Sequence, residues 1–156
     1  MTAVPVSPPI PPQARELLGS AARGLLEAHV TPEPSRRYVA AHLAALRAAA
    51  AVLAARAHPV KRGRIRSVWV LLPVVAPQLQ EWSAFFAAGA GKRAAAEAGL
   101  PVVSQREADD LLRDSEIFLS QVAALLGVDR QAALLGVDQQ AALLGADQQA
   151  ALAEGS

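Results

Sequence analysis

Apolar residues recur along most of the chain at spacings of three and four, the pattern of helices that each turn one stripe inward. Between residues 13 and 29 the stripe is Ala14, Leu17, Leu18, Ala21, Leu25 and Leu26, with Arg15, Glu16, Arg23 and Glu27 on the other face. Pro12 stands just ahead, where a missing N–H costs nothing. The run Thr31-Pro32-Glu33-Pro34 stops this helix, since neither proline can continue it. A second helix is predicted from Ser35, as N-cap, to Ala57. Its stripe is Val39, Leu43, Leu46, Ala50 and Leu53, and nearly everything else is alanine, including Ala48 to Ala51. Small residues around most of its circumference let neighbours approach on several sides, so it is expected to be the most buried helix.

Residues 68 to 88 form a third helical region interrupted by Pro73 and Pro77. Each proline removes an intrahelical bond and clashes with the preceding turn. The expectation is a kink, or a short first piece and a new helix starting near Pro77. Leu79, Trp82, Phe85 and Phe86 should supply most of the aromatic core. Gly89 and Gly91 break the pattern, leaving a short, weakly helical stretch from Lys92 to Ala98 before Gly99-Leu100-Pro101. The last helix opens with Ser104-Gln105-Arg106-Glu107, which fits a capping box. It continues through Ala108, Leu111, Leu112, Phe118, Leu119, Val122, Leu125 and Leu126. Arg106 with Asp110 and Asp109 with Arg113 are four apart on its wet face.

From Ala124 the chain repeats with a period of nine, as Ala-Leu-Leu-Gly-Val-Asp-Arg-Gln-Ala and two near copies. Nine residues at ~100° each advance about half a turn past whole turns, so successive Leu pairs would face opposite sides of a straight helix. That gives no coiled coil. Frayed helix or disorder is expected beyond Gly127. The first twelve residues carry five prolines and read as an extended tail. The organisation is therefore a Pro-rich tail over 1–12, a helical bundle over 13–127 and a repeat tail over 128–156. The fold class is all-α, an antiparallel bundle of four main helices with its third region kinked by prolines.

Composition sharpens this picture. Of 156 residues 53% are hydrophobic but only 4% aromatic, so the core must come from Leu, Val and Ala, which suits closely packed helices better than a sheet. The net charge of +1 sets up no global field toward nucleic acid or an anionic membrane. There is no cysteine, which excludes disulfides, thiol catalysis and thiolate metal sites. The N-terminus lacks the basic region and apolar run of a signal peptide. The most apolar stretch, Val68 to Ala76, contains Pro73 and is far short of a membrane span. A cytoplasmic protein without a membrane partner is expected.

The second-helix text from Arg37 to Arg56, set between a Leu-rich first helix and a kinked third region holding Leu79, Glu81, Trp82 and Phe85, resembles HEPN-type bundles. More narrowly, residues 13 to 127 are similar to an actinobacterial HEPN family of unknown function. The resemblance implies an up-and-down four-helix bundle, often dimeric. It implies either a metal-independent RNase, built on an Arg and a His four to six residues apart, or a nucleotide-binding or protein-binding module without that pair.

Arg37 and His42 meet that spacing, and Arg36 meets it as well. Such chemistry needs a His near neutral pKa as acid or base and an Arg to hold the scissile phosphate. Three features weigh against it. The pair opens the second helix, whereas the family's pair opens the last one. At that late position Arg106 and Arg113 have no His after them. Residues five apart on an ideal helix point ~140° away from each other. His42 also flanks the Val39–Leu43–Leu46 stripe, so a partly buried packing histidine is the competing reading. The basic connector supplies Lys61, Arg62, Arg64 and Arg66, which either grip phosphates with strong salt dependence or form a solvated loop. No His/carboxylate cluster has metal-ligand spacing, so no metal and no cofactor are expected. Gly89-Ala90-Gly91-Lys92 lacks the spacing and the strand of a phosphate loop. The expected function is a non-enzymatic binding or assembly module, a homodimer or the partner of a protein, nucleotide or RNA. The alternative is an RNase or RNA-binding toxin-like protein using the Arg/His pair.

Overall fold

A computed structural model describes residues 10–56 and 65–129, with the backbone alone for 65–67. All regular structure among the described residues is helical: α1 (Pro12–Val30), α2 (Pro34–Ala55), α3 (Ile65–Val75), α4 (Gln80–Glu97) and α5 (Gln105–Leu125), with a single 3-10 turn, Pro77–Leu79, ahead of α4. Residues 1–9, 57–64 and 130–156 lie outside the described residues, and with them most of the Pro-rich tail, the basic connector and the second and third repeats. Of the tail, Ile10 packs against the core.

Each helix begins and ends for a local reason. Pro12 and Pro34 are first-turn residues of α1 and α2. The N-cap of α2 is Glu33, not Ser35: its carboxylate accepts from the backbone N–H of Ser35 at 3.0 Å and of Arg36 at 2.7 Å. An anion there satisfies orphan donors and meets the positive end of the helix dipole, which a serine hydroxyl does less well. The expected capping box of α5 is present, with Glu107 N–H donating to Ser104 Oγ and Ser104 N–H to Glu107 Oε2. Helices α4 and α5 both end in the same stop. Gly99 and Gly127 take positive φ, 85° and 70°. The next residues, Leu100 and Val128, donate back to the carbonyls of Ala95 and Ala123. This closes the last turn. Val128, one residue past Gly127, also rests on the core.

The third helical region is two helices. Pro73 lies inside α3, which ends two residues later, and Ala76 leaves helical geometry at φ −142°, ψ 78° before Pro77 opens the 3-10 turn. Helix α4 then runs without interruption to Glu97, although Gly89 and Gly91 were expected to break it. A Cβ at position 89 would lie 3.0 Å from Tyr38 Oη and 3.5 Å from the His42 ring, whereas one at 91 would meet nothing within 4 Å. Gly89 is there because α2 and α4 approach too closely for a side chain.

Helix α2 is the axis of the molecule and touches every other helix. Its buried face differs from the predicted stripe. Tyr38, Ala41, His42, Ala44, Ala45, Ala48, Ala49, Ala51, Val52 and Leu53 are buried, while Val39, Leu43, Leu46 and Ala50 are only half-buried. Alanine permits the closest approach of backbones, so the face richest in Ala sits where neighbours crowd. This helix is also long and apolar enough to cross a membrane, with mean hydropathy 1.6 over its most apolar window, of which 56% is buried among the other helices. The aromatic centre is Trp69, Phe86 and Phe118 with half-buried Trp82, rings 5.0–6.2 Å apart. Phe85, expected in this core, is 43% exposed and stands edge-on to Trp82.

Candidate functional site

Arg37 lies in the first turn of α2, facing the end of α1. Its Nε donates to the carbonyls of Ala28 at 3.1 Å and Thr31 at 3.0 Å, and its Nη2 reaches that of His29. Those carbonyls cluster at the C-terminal end of α1, where a cation is favoured. The guanidinium also pairs with Asp109 of α5. Asp109 was expected to pair with Arg113, which instead reaches Asp110 one turn back. The Asp109 carboxyl sits below its ordinary pKa, first through the Gln105 amide and then through Arg37.

His42 is fully buried. Its Nε2 lies 2.9 Å from the Phe86 carbonyl, which only accepts, so Nε2 carries the proton. Nδ1 then offers its lone pair to the Arg93 guanidinium, at a long 3.5 Å. Tyr38, Trp69 and Phe86 surround the ring. Burial pushes its pKa below 6.5, and the nearby Arg93 charge adds to that against the Phe86 hydrogen bond. The result is a neutral imidazole with both nitrogens turned into the protein. The structure gives Arg37 and His42 separate partners and does not bring them to one surface.

Arg93 itself is a residue the sequence reading passed over. It is 9% exposed and lies 3.7 Å from Glu97, four residues on. That spacing was visible in the sequence, but the burial was not, because it depends on α4 continuing through Gly89.

Arg36 lines an open groove of about 910 Å³. Its walls are α1 near Gly24 and Glu27, the turn at Thr31 and Glu33, the outer face of α2, and the end of α4 with the link into α5. Along α2 the lining residues Arg36, Val39, Leu43 and Arg47 follow at intervals of three and four, so they form one ridge with a cation at each end. Leu100 and Val103 face it with apolar surface. Neither Arg36 nor Arg47 makes an ion pair among the described residues. Two of the groove's three carboxylates are engaged: Glu33 caps α2, which holds its pKa low through the Arg36 and Ser35 N–H groups, and Glu97 faces Arg93.

Lys61, Arg62 and Arg64 lie outside the described residues, and Arg66 is described only as backbone in the first turn of α3. Among the described residues no group of three or more His, Asp or Glu is placed to hold a metal ion.

A family model, that of the SAV_6107-like HEPN domains, matches residues 28–123. No protein of curated function and no solved structure matches the chain.

Proposed function

The chain belongs to the SAV_6107-like HEPN family, and on that premise we propose that it is a non-catalytic binding or assembly module. We read its helices as an antiparallel up-and-down bundle in which α3 and α4 together stand for the third member. The short turn between α1 and α2, residues 31–33, supports this, because so short a link joins antiparallel neighbours.

The observation that carries the non-catalytic reading is the enclosure of His42. An acid–base histidine must reach the proton it moves. This ring is sealed among aromatics, donates to Phe86 and is kept neutral. Arg37, its would-be phosphate partner, is engaged by the end of α1 and by Asp109. The binding surface is the α1–α2 groove with Arg36 and Arg47, and the ligand classes are a protein partner, a nucleotide or an RNA. Lys61, Arg62, Arg64 and Arg66 would add an electrostatic grip for the last two, and a second copy of the chain is a further partner, read out by sedimentation.

The test is incubation of the purified protein with single-stranded RNA in EDTA. Intact RNA is the expected result. Cleavage that disappears in Arg37→Lys and in His42→Gln, both still folded by circular dichroism, would make the protein an RNase and end the non-catalytic reading.

A further inference from the structure

Charges of opposite sign alternate along the α1–α2 groove. Arg36 and Arg47 stand eleven residues apart on α2, about 16 Å along its axis and within ~20° of each other around it. On the α1 wall, Gly24 marks the level of Arg47, because a Cβ there would lie 3.3 Å from Arg47 Nη1. Ala28 and Thr31 mark the level of Arg37, the neighbour of Arg36, since their carbonyls accept from it at 3.1 Å and 3.0 Å. Glu27 therefore stands about midway between the two arginines. Like them, it makes no ion pair among the described residues. The order down the groove is cation, anion, cation, beside apolar surface from Val39, Leu43 and Leu100.

This order does not suit a nucleic acid or a nucleotide. A phosphate backbone carries charge of one sign, and Glu27 stands in its path, with Glu33 and Glu97 also on the walls. Among the described residues no aromatic side chain lines the groove on which a base could stack. A peptide carries both signs. Most of the wall is helix, whose backbone groups are already spent within α1, α2 and α4. An extended peptide would find few partners there for its own N–H and C=O groups, whereas a helix satisfies them within itself. We infer that the groove takes an amphipathic helix of a partner protein, which presents two carboxylates about three turns apart to Arg36 and Arg47, a cation between them to Glu27, and an apolar stripe to Val39, Leu43 and Leu100. The inference rests on the groove being the binding surface of the module, and it selects one of the ligand classes proposed for it.

The probe is a twelve-residue peptide held helical by a hydrocarbon staple on its outward face. It carries glutamate at its first and last positions, lysine at the fifth, and leucine at the fourth, eighth and eleventh, all on one side of the helix. Fluorescence anisotropy with the full chain should show saturable binding. A control peptide with lysine in place of both glutamates should bind at least fivefold more weakly, since each exposed ion pair is worth roughly two- to fivefold. The double variant Arg36→Glu with Arg47→Glu should reverse that preference. Glu27→Lys should weaken the first peptide, and glutamate at its fifth position should restore binding. Arg36→Glu alone, on an exposed side chain, repeats the comparison if the double variant fails to fold. Equal affinity for the two peptides, or no saturable binding of either, would overturn the inference. Displacement of the bound peptide by an equal concentration of oligouridylate would overturn it as well, while leaving the binding-module reading in place with RNA as its ligand. That reading falls separately, in the RNA-cleavage assay.

Discussion

At the scale of single residues, the histidine at position 42 and the arginine at position 37 are held by different partners. Arg37 closes the end of one helix from the start of the next, and His42 fills a polar slot between α2 and α4. The lowered pKa of His42 links it to stability. The unfolded chain protonates this ring near the ordinary 6.5, the folded chain only at lower pH. Above about 6.5 both states are neutral there and the folded state keeps its full stability. As pH falls below that, the unfolded state takes up a proton that the folded state refuses, and stability falls. Between pH 6.5 and 5.5 the loss is at most about 1.4 kcal/mol from one group. Urea unfolding across this interval should show a larger loss for the wild type than for His42→Gln, which keeps a donor for the Phe86 carbonyl. Parallel losses would assign the pH dependence elsewhere.

At the scale of elements, α4 is where two glycines of the same helix behave in opposite ways. Alanine is a better helix former than glycine by roughly 1 kcal/mol. At Gly91 nothing opposes that gain, so Gly91→Ala should stabilise by about 0.5–1 kcal/mol. At Gly89 the new methyl would press on the Tyr38 hydroxyl and the His42 ring, both on a buried face. Overpacking of that kind costs about 1–3 kcal/mol. Gly89→Ala should therefore destabilise despite its better propensity, and thermal melts of the two variants should move in opposite directions. A rise in melting temperature for both would mean that α2 and α4 are not in close contact at this point.

At the scale of the whole molecule, α2 organises the rest by being small where others are large. Ala44, Ala45, Ala48, Ala49 and Ala51 are all at or near zero exposure, and the bulk of the core comes from Leu18, Leu25, Leu53, Leu72, Phe86 and Phe118 on the surrounding helices and on α2 itself. A volume added to the alanine face has no room. Ala48→Leu should lose about 1–3 kcal/mol or more, whereas Leu43→Gln, on the groove face, should lose less because Leu43 is only half-buried. The two substitutions reverse the order that the Val39–Leu43–Leu46 stripe predicts, and a denaturant titration of each separates the alternatives.

How much was legible follows from the range of the interactions involved. Helix positions, the Ser104–Glu107 capping box, the break after α3 and the glycine stop at Gly99 are set by residues within one or two turns of each other, and the sequence by itself determined them. The family resemblance was also legible there, carried by the text of the second helix and its neighbours. What the chain could not display locally was which face of α2 turns inward. Alanine is apolar in either direction, and a stripe of larger residues looks like a core until the neighbours are in place. The break expected at Gly89 failed for the same reason: its signal is a close crossing with Tyr38 and His42, residues some fifty positions away. The separate surroundings of Arg37 and His42 were hidden for that reason too, because their partners, Ala28, Asp109, Phe86 and Arg93, come from α1, α5 and α4. Only the packing of whole helices decides such contacts, because burial and hydrogen bonding depend on what lies opposite in space and not on what lies adjacent along the chain.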